Sequence, residues 1–205
     1  MRLSRIAVFM AGVCLALMPI LLPEIAAQAA AGGQDASRLT PEQRSDAAIV
    51  LQVIEKIRAE SAAVPAGGPR SVAISERELN AYIAHRIEAD KEEILTDLRL
   101  KLFAENRIEG LAVIDLRNRK LPAFIKPVMN IVFAGVIESR PGEARIRFES
   151  LYLEQQRIQT SFVDFVIAAV SELDGTEPIR LDDWYALPYG ISGLETQRGR
   201  LVAAY

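Results

Sequence analysis

The chain has 205 residues, half of them apolar, with 24 Lys and Arg against 27 Asp and Glu and a formal charge of −3. That mildly acidic balance lacks the basic footprint of a nucleic-acid binder, so no nucleic-acid partner is expected. One cysteine, Cys14, and one histidine, His85, leave no material for a disulfide scaffold or for a cysteine- and histidine-rich metal site.

Arg2 and Arg5 precede an apolar run from Ile6 to Leu22, and Ala27-Gln28-Ala29 follows as a small–x–small cleavage signal. This is the anatomy of a secretory leader, so residues 1–29 are predicted to be removed from a periplasmic or secreted protein. Anchoring by an uncleaved helix is the alternative, which Pro19 and Pro23 disfavour because proline breaks a spanning helix. Val13 is larger than the residue a lipoprotein signal needs before its cysteine, so Cys14 is expected to leave with the leader. Residues 30–38 are small and polar and read as a flexible lead-in. Residues 39–205 are predicted to form one α+β domain.

Thr40, Pro41 and Gln43 combine an N-cap, a proline at the first helical position and the far side of a capping box. Ala47, Val50, Ile54 and Ile57 then recur at helical spacing, which predicts an amphipathic helix ending near Pro65. A short strand over 70–74 leads to a second capping box, Ser75 with Glu78, and to a staple between Ile74 and Leu79. The helix that follows buries Leu79, Tyr82, Ile83 and Ile87 and leaves His85 on its wetter edge.

Strict alternation predicts two antiparallel strands between Leu98 and Arg117. Leu98, Leu100 and Leu102 share one face of the first, and Ile108, Gly110, Ala112, Ile114 and Leu116 share one face of the second. The connection after them mixes Arg117, Arg119, Lys120 and Lys126 with Leu121, Phe124 and Ile125. Such a loop suits an anionic membrane surface, and Arg117, Arg119, Lys120, Phe124 and Lys126 are the expected membrane contacts.

A second hairpin turns at Arg140-Pro141-Gly142-Glu143, with proline and glycine where a type II turn needs them. Ile131, Phe133 and Ile137 are expected on one face of it, continued by Ile146, Phe148 and Tyr152, with Arg145, Arg147 and Glu149 opposite. Ser161 and Asp164 are expected to cap a helix that stops at Gly175. That helix carries Phe162, Val163, Phe165, Val166, Ile167, Ala169 and Val170, apolar nearly all round, which predicts burial on most sides. Residues 188–205 read as a last hairpin. The fold class implied is α+β: an antiparallel meander curled around the 162–173 helix, with one or two amphipathic helices before it.

Catalytic patterns are missing from this layout. In the 189–194 stretch Leu194 stands where a nucleophile elbow needs glycine. Asp182 and Asp183 are adjacent, whereas paired glycosidase carboxylates come from separate elements, so a turn cap beside a packing Trp184 is the expectation. No metal site and no cofactor are expected. The chain is read as not an enzyme.

The apolar face is the informative feature. Its strands exceed the usual five or six residues, and Gly110, Ala112, Gly135 and Ser150 are small, which leaves a groove of acyl-chain width on that face. The expected lining is Leu98, Leu100, Leu102, Ala112, Ile131, Phe133, Ile146 and Phe148 from the strands, with Phe162, Phe165 and Val166 from the helix. Small residues equally admit a close-packed helix, and then the face is simply core. The run SVAISERELNAYI, the strands GLAVIDL, NIVFAGVIES and ARIRFESLYLE, and the final LPYGISGLETQRGRLVAAY resemble bacterial envelope proteins of the YpmS type. They also resemble the mycobacterial mannan-elongation lipid-binding protein and, more distantly, the tubular lipid-binding superfamily. The likeness spans most of residues 71–205, and the 40–62 helix has no counterpart in it. It implies a long curved sheet wrapped round a helix, an apolar cavity, lipid binding and no catalytic residues. The expected function is therefore a non-catalytic envelope protein that binds a lipid or lipid-linked intermediate. The alternative is an envelope structural or adaptor protein with a closed core and a protein partner on a strand edge.

Overall fold

The computed structural model describes residues 39–62, 68–90, 94–118, 126–175, 178 and 180–205. Helix α1 (Pro41–Ala62) opens with Thr40 and Gln43 bonded reciprocally, each side chain accepting from the other's backbone N–H. Ala47, Val50, Ile54 and Ile57 form its buried stripe, as their spacing requires. Strand β1 (Ser71–Ser75) runs straight into α2 (Glu76–Ala89), and the capping box of Ser75 and Glu78 is complete. Ile74 and Leu79 are both buried beside it.

The strands β2 (Leu95–Leu102), β3 (Arg107–Asp115), β4 (Val128–Arg140), β5 (Glu143–Leu153) and β6 (Gln156–Ile158) make one curled antiparallel sheet in chain order. Helix α3 (Thr160–Asp174) follows β6, and β7 (Tyr185–Ala186) then returns to pair with the start of β5. The last hairpin, β8 (Gly193–Gln197) and β9 (Arg200–Ala204), does not extend this sheet. It joins β1 in a second, three-stranded sheet of order β1, β9, β8. The fold is α+β.

Side chains tie the two sheets together. Ser139 Oγ donates to the Leu194 carbonyl and accepts from the Leu194 N–H, at 2.9 and 3.0 Å. Asn106 Oδ1 accepts from Thr196 N at 2.9 Å, and the buried Thr196 hydroxyl donates to the Phe103 carbonyl. These contacts supply β8 with partners on its free edge, so few backbone groups are left open at the junction. One connected apolar core runs from Val50 of α1 to Ala203 of β9.

Three local expectations need correction. Glu149 is an extra residue in β5: Gly135 pairs with Phe148 but Ala134 pairs with Ser150. Such a bulge shifts the side-chain parity by one. Leu151 therefore points to the core, while Tyr152 and Ser150 lie on the outer face. Helix α3 begins at Thr160 with Gln159 as an N-cap that makes no side-chain bond, not with Ser161 and Asp164 as caps. Asp164 instead accepts from Leu181 N at 2.9 Å, and Gly175 ends the helix in the left-handed conformation. Finally, α3 is not buried all round. Val163, Val166, Ile167 and Ser171 are buried, but Phe165 is 47 % exposed. The expected leader and lead-in lie outside the described residues.

Candidate functional site

The candidate site is the concave face of the curled sheet. Register sets its rows: Leu98, Ala112, Ile131 and Leu153; Leu100, Gly110, Phe133 and Leu151; Leu102, Ile108, Gly135 and Phe148; then Ile137 and Ile146. Leu98, Leu100, Leu102, Ala112, Ile131, Phe133, Ile146 and Val166 are all buried members of one core, and Phe148 and Phe162 pack against it half-buried. Ten of the eleven predicted lining residues thus come together. Phe165 does not join them, because it sits on the side of α3 opposite Val163 and Ile167.

The small residues of that face do not leave equal room. A Cβ added to Gly110 would lie 2.2 Å from Phe133 Cζ, so the Phe133 ring already occupies the space above this glycine. A Cβ on Gly135 would lie 2.7 Å from the Arg147 carbonyl oxygen and 3.1 Å from Ile146 Cγ2. Phe133 and Phe148 meet edge to face, with centroids 5.5 Å apart. Ser150 has left the face through the bulge. The β2–β3–β4 half is consequently close-packed, and the half-buried apolar side chains are Phe148 and Leu153 of β5, Ile158 of β6 and Phe162 of α3.

The two sides of the face are closed by different means. On the α2 side Asn80 lays its amide against the outer edge of β2: Nδ2 donates to the Leu100 carbonyl at 2.8 Å and Oδ1 accepts from Leu100 N at 2.7 Å. Glu76 Oε2 accepts from Leu102 N at 2.7 Å. A side-chain amide here stands in for the missing strand neighbour. Sequence reasoning missed Asn80, although a polar, weakly helix-forming residue beside Leu79 and Tyr82 was a signal that its side chain had work in the fold.

The predicted membrane contacts divide. Arg119, Lys120 and Phe124 lie outside the described residues. Arg117 is bonded through its guanidinium to Asp115, which holds that carboxyl down at about 2, well below the ordinary carboxylate range. Lys126 pairs with Glu154 at 2.9 Å. Both described cations are therefore matched by carboxylates of the same chain.

Trp184 lies beside two guanidiniums, with Arg140 at 4.3 Å and Arg145 at 4.6 Å from its ring centroid. Asp183 bonds back to the Arg180 backbone, so this stretch is pinned to the β4–β5 hairpin as a turn. His85 lines a separate shallow cleft of about 330 Å³ between α1 and α2, with Leu39, Ala47, Leu51 and Glu88. Among the described residues no three His, Cys, Asp or Glu side chains gather as a metal site would need. No helix among them is long and apolar enough to cross a membrane.

No protein-family model matches the chain, and no curated protein matches it either.

Proposed function

We propose that this is a non-catalytic protein of the cell envelope that binds a lipid or lipid-linked intermediate at the seam between α3 and the β5–β6 side of its curled sheet. The observation that carries the reading is the state of the apolar side chains on this side. Phe148, Leu153, Ile158 and Phe162 are half-buried, while the β2–β3–β4 rows of the face are shut. An acyl chain bound at this seam covers apolar surface that water otherwise meets, at about 0.8 kcal/mol per buried methylene. Arg117 and Lys126 are each paired with a carboxylate of the same chain, so these two cations add little electrostatic attraction to a membrane.

The closed-core alternative, an adaptor that binds a protein, is favoured by one observation: the Phe133 ring fills the space over Gly110. Extraction of the purified protein into organic solvent, followed by mass spectrometry, separates the two. One lipid class recovered from the wild type, and lost from Phe162→Asp, is the expected result. A wild type that carries no lipid and takes up no fluorescent fatty acid leaves the adaptor standing.

A further inference from the structure

Strand β4 is apolar on both of its faces. Met129, Ile131, Phe133 and Ile137 point to the core, yet the opposite positions are Val128, Asn130, Val132, Ala134 and Val136. Near-continuous apolar strands normally belong to sheets covered on both sides. Here the outer side is open: Val132 is 44 % exposed, and Val128 and Tyr152 are exposed with it. Leu111 and Tyr152 flank Val132 in register, and Val113 lies next to them, half-buried. The result is an apolar strip across three strands on the solvent side of the sheet.

We propose that this outer face is a self-association surface, on which a second copy of the chain packs sheet against sheet about a two-fold axis crossing the strands at Val132. The charges around the strip choose the partner. Arg99, Lys101 and Arg107 alternate with Asp97, Glu109 and Asp115 on β2 and β3. A membrane or polyanion of single-sign charge gains nothing from such a mixture, whereas a copy of the same surface does. Asp97 and Lys101 lie two positions either side of Arg99, and Arg107 and Asp115 lie four positions either side of Leu111. Arg99 and Leu111 are register partners, and Leu111 pairs with Val132.

A two-fold axis along that row therefore sets Asp97 against Lys101 of the second copy and Asp115 against its Arg107. The same operation sets Val128 against Val136 and brings Arg99 diagonal to Glu109. Lys101 and Arg107 thus meet carboxylates of the second copy, with Asp97 and Asp115 bridging them to Arg99 and Arg117 of their own chain, while Arg99 lies on the axis beside its own copy. Two twisted sheets pack in this way about 10 Å apart.

Sedimentation velocity on the purified chain, with Cys14→Ser in every variant, tests the proposal. A two-chain mass is expected for the parent and a one-chain mass for Val132→Arg. Thermal melting of that variant should match the dissociated parent, because residue 132 faces solvent. Asp97→Lys should weaken the dimer about tenfold, and adding Lys101→Glu should restore it, since the charges exchange places across the axis. A cysteine in place of Val132 should cross-link to its copy through a short bis-maleimide, whereas Gln52→Cys on the exposed side of α1 should not. A parent that sediments as one chain at the highest concentration reached overturns the proposal. So does a dimer that Val132→Arg leaves intact. A one-chain mass with binding to phosphatidylglycerol vesicles assigns the face to a membrane instead and equally overturns self-association. None of these outcomes depends on lipid in the concave face.

Discussion

Helices α2 and α3 both turn an apolar stripe toward the core, but α2 is hydrogen-bonded to the edge of β2, whereas Asp164 of α3 is bonded to the loop that follows the helix. On α2, Asn80 and Glu76 satisfy the backbone of Leu100 and Leu102 along the edge of β2, so directed bonds join helix to strand. On α3, Val163, Val166 and Ile167 sit in the core, and Asp164 ties the helix to Leu181 in the following loop rather than to the sheet. A directional bond to a strand fixes register as well as contact; apolar contact alone permits sliding at small cost. On the proposed reading an apolar ligand enters on the α3 side, where the strand edge is not sealed by Asn80 and Glu76.

The comparison breaks most visibly with Ile83→Ala. Ile83 is buried in the α2 stripe, and its truncation should lower unfolding stability by about 2–5 kcal/mol in a urea titration. Asn80→Ala comes next. It leaves Leu100 with an unpaired N–H and carbonyl, which should cost about 1–3 kcal/mol, and Asn80→Gln should fail to rescue it because the amide is displaced by a methylene. If α2 and α3 are held alike, the corresponding loss for Asn80→Ala will be absent.

A pH experiment sharpens the α2 side further. Burial pushes the Tyr82 phenol from its ordinary value of 10 up to about 12. The folded state therefore keeps this proton longer than the unfolded state does. The stability linked to it is full below pH 10 and is lost as pH rises from 10 to 12. Tyr82→Phe should flatten the alkaline limb of the melting profile over that window and leave it unchanged at pH 7. A smaller stability effect is expected on α3: Phe165→Ser should cost less than Ile83→Ala, because Phe165 is 47 % exposed and Ile83 is buried. Native-state hydrogen exchange reads both sides at once. Backbone amides of α2 should exchange near the global unfolding free energy, and those of α3 through a cheaper local opening. Equal protection of the two helices would remove the basis for placing a ligand beside α3.

Much of this fold was legible locally. Both capping boxes, the buried stripes of α1 and α2, the turn at Pro141-Gly142 and the stop at Gly175 come from interactions within about four residues, and each is present in the structure. The rows of the concave face were also legible as far as Phe148, because a strand alternates faithfully until something interrupts it. Tyr152 was misplaced because nothing in the stretch from Phe148 to Leu151 marks Glu149 as the extra residue. A bulge is chosen by how β4 and β5 pair, not by either strand alone. The groove was overestimated for a related reason. Gly110 reads as empty space in sequence, and only the register that sets Phe133 beside it shows the space to be taken.

Helix caps, turns and hydrophobic period act over a single turn or strand, so local sequence set the elements and the apolar face that each one carries. Which elements meet was settled by contacts between distant residues: β9 pairs with β1 rather than joining the larger sheet, Asn80 closes the edge of β2, and α3 leaves Phe165 half-exposed. Those contacts also leave a second apolar strip, through Val132, on the outside. The physical reason is that hydrophobic burial has no direction of its own. It tells each face to leave water, and the choice of partner falls to backbone register and to a few buried hydrogen bonds between residues far apart in the chain.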